Sequence, residues 1–154
     1  MTWRLKKESD AGDILDHFNG FHDGFIKALS LRSHDYFEQQ GAAVTDIAHA
    51  LTGHFDVVID IAHYNYAQGT QPYDRIIRCH FKDVKAFCFD LRDVSSHEWP
   101  IKVVEIKLGQ RKNDHDQVER CFTLVFSWSK LVDNQWSTRT AQVLTFREAE
   151  FDEH

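Results

Sequence analysis

The sequence predicts an α+β domain dominated by an antiparallel β-sheet of about seven strands, with one or two short helices near the N-terminus. Apolar and polar residues alternate with a period of two through most of the chain after residue 53, the pattern of antiparallel strands with one wet face. Turn-forming residues separate these alternating runs at short intervals. Helical spacing is confined to two stretches before Gly53. A length of 154 residues is that of about one domain, taken as 1–154, and a chain of this size buries roughly 70% of its unfolded surface on folding.

Residues 10–19 read as the first helix. Asp10 is placed to cap it, Asp13 suits its first turn, Ile14 and Phe18 share a face four residues apart, and Gly20 suits the exit. Gly24–Arg32 then reads as a strand. Between Gly41 and Gly53, the positions of Val44, Ile47, Ala48 and Leu51 make one apolar helical stripe.

The strongest strand signals are GHFDVVIDIAHYN (53–65) and DRIIRCHFK (74–82). A register in which facing residue numbers sum to 138 brings Val57 to Phe81, Ile59 to Cys79 and Ile61 to Ile77 on one face. On the other face it brings Asp60 to Arg78 and Asp56 to Lys82. A shift of two residues breaks the charge pairs, and a shift of one sends the apolar set to the wrong face. VKAFCFDL (84–91), IKVVEIKL (101–108), VERCFTLVFSW (118–128) and TRTAQVLTFREAEF (138–151) continue the pattern. Turns are expected at Lys82-Asp83, Ser95-Ser96, the charged run 109–117, and Val132-Asp133-Asn134. The expected core includes Phe55, Val57, Ile59, Phe81, Phe87, Phe122, Leu124 and Phe126.

The net charge of −6 leaves no basic footprint for a phosphate backbone, so nucleic acid is not an expected partner. It would steer a basic protein partner toward the chain. No apolar run of 18 residues exists, and MTWRLKKESD lacks a signal-peptide core. A cytoplasmic protein without a membrane partner is expected. The sequence sets no oligomeric state. Cys79, Cys88 and Cys121 form no CxxC and all lie in apolar strand segments, where small buried thiols are expected.

The motif that most invites chemistry is His22-Asp23, between Gly20 and Gly24. Metal phosphohydrolases use adjacent His and Asp as ligands, and the alternative function for this chain is a small metal-dependent hydrolase built on that pair. In those enzymes the pair lies on a helix, whereas here it opens a strand. The structural role, with Asp23 accepting backbone N–H bonds at a helix-to-strand turn, is therefore preferred. A second cluster, His54, Asp56 and Asp60 with His80 on the next strand, has metal-binding residue types. The derived register pairs both aspartates with cations, so a solvated ion-paired face is expected instead. No nucleophile elbow or phosphate-binding glycine loop occurs, and Glu98 with Glu105 has no fixed separation. No catalytic residue, metal or cofactor is assigned.

One segment looks built for contact. HYNYAQGTQPYDR (63–75) is longer than a tight hairpin needs. It carries Tyr64, Tyr66, Gln68 and Tyr73 among small polar residues, a composition that gives large contact area at low entropy cost.

The helix followed by FHDGFIKALSL, and a strand ending FKDV before AFCFDL, resembles small bacterial proteins with an F-H-D signature, some of them immunity proteins of polymorphic toxin systems. Phe21, His22, Asp23 and Ile26 carry the resemblance, with looser support from Phe81 to Val84. It implies a non-enzymatic protein that blocks a toxin by binding it. The stretch between the first strand and residue 53 is longer than in the shortest such proteins.

Overall fold

A computed structural model of the chain describes residues 1–21, 24–34, 55–62, 75–88 and 101–154. In chain order the elements are β1 (Thr2–Leu5), α1 (Glu8–His17), a 3-10 turn (Asn19–Phe21), β2 (Phe25–Ser33), β3 (Phe55–Ala62), β4 (Ile76–Lys82), β5 (Ala86–Phe87), β6 (Ile101–Lys112), β7 (Val118–Val132), β8 (Gln135–Phe146) and β9 (Glu148–Glu153). The strands form two antiparallel sheets, ordered β1-β9-β4-β3-β2 and β5-β8-β7-β6. The antiparallel architecture with an N-terminal helix is as expected, but the described residues hold nine strands rather than about seven. One added strand, β1, is too short to show alternation and pairs with the distant β9. The other arises because the run expected as one strand over 138–151 splits at Arg147.

That split builds the core. Leu144 and Phe146 are buried before it, Ala149 and Phe151 after it, so the inward phase changes from even to odd numbers. β8 pairs with β7 and β5 in one sheet, while β9 pairs with β1 and β4 in the other. The joint between β4 and β5 turns the same corner beside it. Arg147 N–H donates to Lys82 O at 3.0 Å, and Lys85 N–H donates to Thr145 O at 2.7 Å. Asp83 takes a φ of 51° there. Two strands that change sheets together are the means by which stacked sheets close around one interior. Phe81 and Phe146, whose rings lie 4.9 Å apart, fill the inside of the bend.

α1 begins two residues earlier than expected. Asp10 is not its cap but its third residue, and its carboxylate reaches back to accept the N–H groups of Lys6 and Lys7 at 2.9 and 3.0 Å. This is one half of a capping box. Ala11, Ile14 and Phe18 are buried, as the spacing of the last two predicted, and α1 touches β1 and β6, one from each sheet. The exit runs through three left-handed residues, Asn19, Gly20 and Phe21, with φ of 50°, 60° and 56°. A bulky side chain seldom adopts such a φ. Phe21 is held there fully buried, with its ring 5.1 Å from Phe18. The helical candidate at 41–53 lies outside the described residues.

The β3–β4 register is the one derived, with Val57 opposite Phe81, Ile59 opposite Cys79, Ile61 opposite Ile77 and Asp60 opposite Arg78. Arg78 grips Asp60 with two bonds of 2.8 and 2.9 Å. The other expected charge pair is corrected. Lys82 turns to Glu148 and Glu150 of β9, at 3.6 and 3.0 Å, because β9 flanks β4 on its far side. Among expected core residues, Val57, Ile59, Phe81, Phe122, Leu124 and Phe126 are buried, and Phe87 is half-buried against them. Phe55 is 40% exposed. It has the right parity but sits at the strand end opposite Ser33, beyond the last covered row. Cys79 and Cys121 are buried as expected, whereas Cys88 is exposed.

The turns follow their chemistry. Asp133 and Asn134 both have positive φ, 50° and 60°, between paired Val132 and Gln135, which is the two-residue hairpin geometry that matches strand twist. Asn113 closes the β6–β7 hairpin by accepting the N–H groups of His115 and Gln117, each at 2.9 Å.

Gly24 enters β2 against a wall. A Cβ there would lie 2.9 Å from Ile61 Cγ2 and 3.0 Å from Phe21 O. Gly24→Ala should therefore destabilise the protein by about 1–3 kcal/mol, measured by urea unfolding. A change within about 0.5 kcal/mol, typical of open surface sites, would show that the backbones do not approach this closely.

Candidate functional site

Of the residues singled out from sequence, His22 and Asp23 lie outside the described residues, as do Tyr64, Tyr66, Gln68, Tyr73, His54 and Glu98. The described flanks nevertheless bear on both segments. The 3-10 turn ends at Phe21 and β2 starts at Phe25, so a helical exit and a strand entry bracket the His-Asp pair. For the tyrosine segment, Ala62 and Ile76 are direct cross-strand partners. The chain therefore leaves β3 and re-enters β4 at adjoining positions.

The base of that segment is fixed from the other side. Arg75 donates to Glu153 at 2.6 Å, and Ile76 exchanges two backbone hydrogen bonds with His154, at 2.9 and 3.3 Å. Glu153 also lies 3.8 Å from His17, whose ring stacks on Trp3 at 4.4 Å.

The solvent side of the five-stranded sheet is an ion-paired lattice. Asp60–Arg78, Arg4–Glu150 and Lys82 between Glu148 and Glu150 alternate in sign across the strands. Arg78 holds the Asp60 carboxyl below the usual carboxylate range, and Asp60 in turn raises Arg78. The acidic side chains named here are thus paired with cations rather than left bare. Among the described residues, no three His, Cys, Asp or Glu side chains converge as metal ligands would.

Asp56 is the exception on this face, because it is buried. Its Oδ2 contacts His80 Nε2 at 2.7 Å and its Oδ1 contacts His34 Nε2 at 2.8 Å. Oδ1 also accepts the Asp83 N–H at 3.0 Å. The two imidazoles bind different oxygens of one carboxylate rather than a common point, which is the geometry of a structural bridge. Burial works against the charge, but the Asp83 N–H and the two imidazoles outweigh it and hold the carboxyl below its ordinary value. The sequence placed Asp56 and His80 on one face and assigned Asp56 to Lys82. The imidazoles take that role.

Asp83 links this bridge to a pocket of about 320 Å³ at the corner, lined by Asp83, Lys85, Arg111, Glu119, Arg120, Cys121 and Arg147. Four basic side chains face two acidic ones. Lys85 Nζ is bound to Asp83 at 2.8 Å. Arg111 donates to the Lys85 carbonyl at 2.9 Å, and Glu119 accepts from Asn113 Nδ2 at 3.1 Å. Arg120 and Arg147 have no carboxylate partner among the described residues. Sequence reasoning placed Arg120 and Arg147 within the expected strands 118–128 and 138–151 and assigned them no role. The signal that would have found them is the β7–β8 register, which sets Phe122 opposite Phe146 and so brings Cys121 alongside Arg147.

Comparison of the chain with protein-family models, curated proteins and solved structures finds no match. No helix among the described residues is long and apolar enough to cross a membrane.

Proposed function

We propose that this chain is a non-enzymatic, cytoplasmic binding protein of the immunity type, which neutralises a toxin by occupying its surface. Its contact segment is the stretch bearing Tyr64, Tyr66, Gln68 and Tyr73. The observation that carries this reading is the pairing of Ala62 with Ile76, clamped by Arg75–Glu153 and the His154 backbone. The two ends that flank the tyrosine-rich stretch are thus held together by strand pairing, and ends held in advance lower the ordering cost of binding. The F-H-D resemblance at Phe21, His22, Asp23 and Ile26 points to the same class of function. The partner is a protein of basic character, steered by the net charge of −6.

Replacing Tyr64, Tyr66 and Tyr73 together by alanine should leave the circular dichroism spectrum unchanged, since the pairing of the flanking strands β3 and β4 does not involve these side chains. Affinity for the product of the adjacent gene should fall by at least about tenfold, or roughly 1.4 kcal/mol, in a calorimetric titration. Undiminished affinity in the folded triple variant would remove the site from this segment. Affinity that does not weaken with added salt would remove the basic character of the partner.

A further inference from the structure

We propose that the corner pocket is a binding site for a small phosphoryl-bearing anion. Arginine placement carries the inference. Arg4, Arg75 and Arg78 each form an ion pair with a carboxylate. Four others with described side chains, Arg32, Arg111, Arg120 and Arg147, form none among the described residues, and three of these four line this one pocket. In a chain of net charge −6, carboxylates to neutralise them are plentiful. Their concentration around a single concavity, without acidic partners, is the arrangement an anion site requires.

The acidic groups present do not cancel it. Asp83 is held by Lys85 at 2.8 Å, and Glu119 is engaged by Asn113 at 3.1 Å. The three guanidinium groups arrive from three chain segments: Arg111 from β6, Arg120 from β7, and Arg147 from the β8–β9 joint. A planar carboxylate is saturated by one or two guanidinium forks, whereas a phosphoryl group presents oxygens in several directions and accepts donors from all of them. Arg111 is already oriented by its bond to the Lys85 carbonyl, which lowers the cost of organising the site. The volume of about 320 Å³ lies at the small end of ligand pockets, roughly 300–1,000 Å³. It suits a compact phosphorylated molecule. No residue lining the pocket belongs to the tyrosine segment, so variants that test anion binding and variants that test protein binding alter different residues.

The test is calorimetric titration of the full chain with inorganic pyrophosphate, with citrate and phosphatidic acid vesicles as the other arms. Pyrophosphate should bind saturably, and Arg120→Ala with Arg147→Ala should weaken it by at least about tenfold without changing the melting temperature of the free protein. Lysine at both positions should recover part of the affinity, because the charge returns without the fork. Amide resonances of residues 85, 111, 121 and 147 should shift on titration of the unaltered chain, a readout that survives any folding defect in the variants. Absence of binding at millimolar pyrophosphate would overturn the proposal. So would undiminished binding in the folded double variant, or amide shifts confined elsewhere. Citrate binding as tightly through the same arginines would make it a carboxylate site, and capture by vesicles without binding of soluble pyrophosphate would make it a lipid surface. Either result overturns the assignment.

Discussion

Phe81→Ala should destabilise the protein by about 3–5 kcal/mol, the usual range for removing a buried ring. The side chain is fully buried, at the last inward-facing position of β4 before the corner. Its ring meets Phe146 of the four-stranded sheet at 4.9 Å and Phe151 of the five-stranded sheet at 6.0 Å. Truncation leaves a void bounded by both sheets, and the paired strands of the corner limit how far either sheet can collapse into it. Urea unfolding should show a lower midpoint with an unchanged slope, since the surface exposed on unfolding is nearly the same. Phe55→Ala is the matched control. It has the same parity on the neighbouring strand but is 40% exposed, so it should cost about 1 kcal/mol or less. Equal losses at the two positions would mean that the core extends past the Val57–Phe81 row.

The contrast between Phe81 and Phe55 also marks how far the sequence could be read. Local alternation and the Asp60–Arg78 charge pair set the β3–β4 register correctly, because β3 and β4 are consecutive strands paired directly with each other. The same period predicted the buried face of β7 through Phe122, Leu124 and Phe126. What local pattern could not set was the partner of β4 on its other side. The distant β9 supplies it, and with it the carboxylates that take Lys82 from Asp56. The division into two sheets was visible only as a change of phase, from Leu144 and Phe146 to Ala149 and Phe151, within one continuous alternating run. The corner pocket follows from that division, since Arg147 reaches it only because the strand breaks there. His22-Asp23 and the tyrosine segment were legible as motifs, and only their flanks are set by the described structure.

Asp56→Ala should cost roughly 2–3 kcal/mol, more than an exposed aspartate of the same sheet. Each hydrogen bond to a charged group contributes about 1.5–3 kcal/mol, and Asp56 accepts three, from His34, His80 and the Asp83 N–H. The sum is discounted because His34 is largely exposed and can turn to water. The Asp83 N–H has no such freedom, since Asp83 sits at φ 51° in the bend between β4 and β5. Loss of this anchor should therefore loosen the corner as well as the bridge. Acidity gives a second handle with a definite sign. The Asp56 carboxyl is held below its ordinary value of 3.8 in the folded protein, so the unfolded chain binds its proton first as pH falls. Its contribution is fully present above that ordinary value and is lost as pH drops through the lower folded value. Asp56→Asn keeps the shape and an acceptor for the Asp83 N–H but removes the charge. The stability difference between wild type and Asp56→Asn should shrink as pH falls from about 5 to below about 4, measured by urea unfolding across that range. A difference that stays constant, or grows, as the solution becomes more acidic would show that Asp56 is not the charged centre of the bridge.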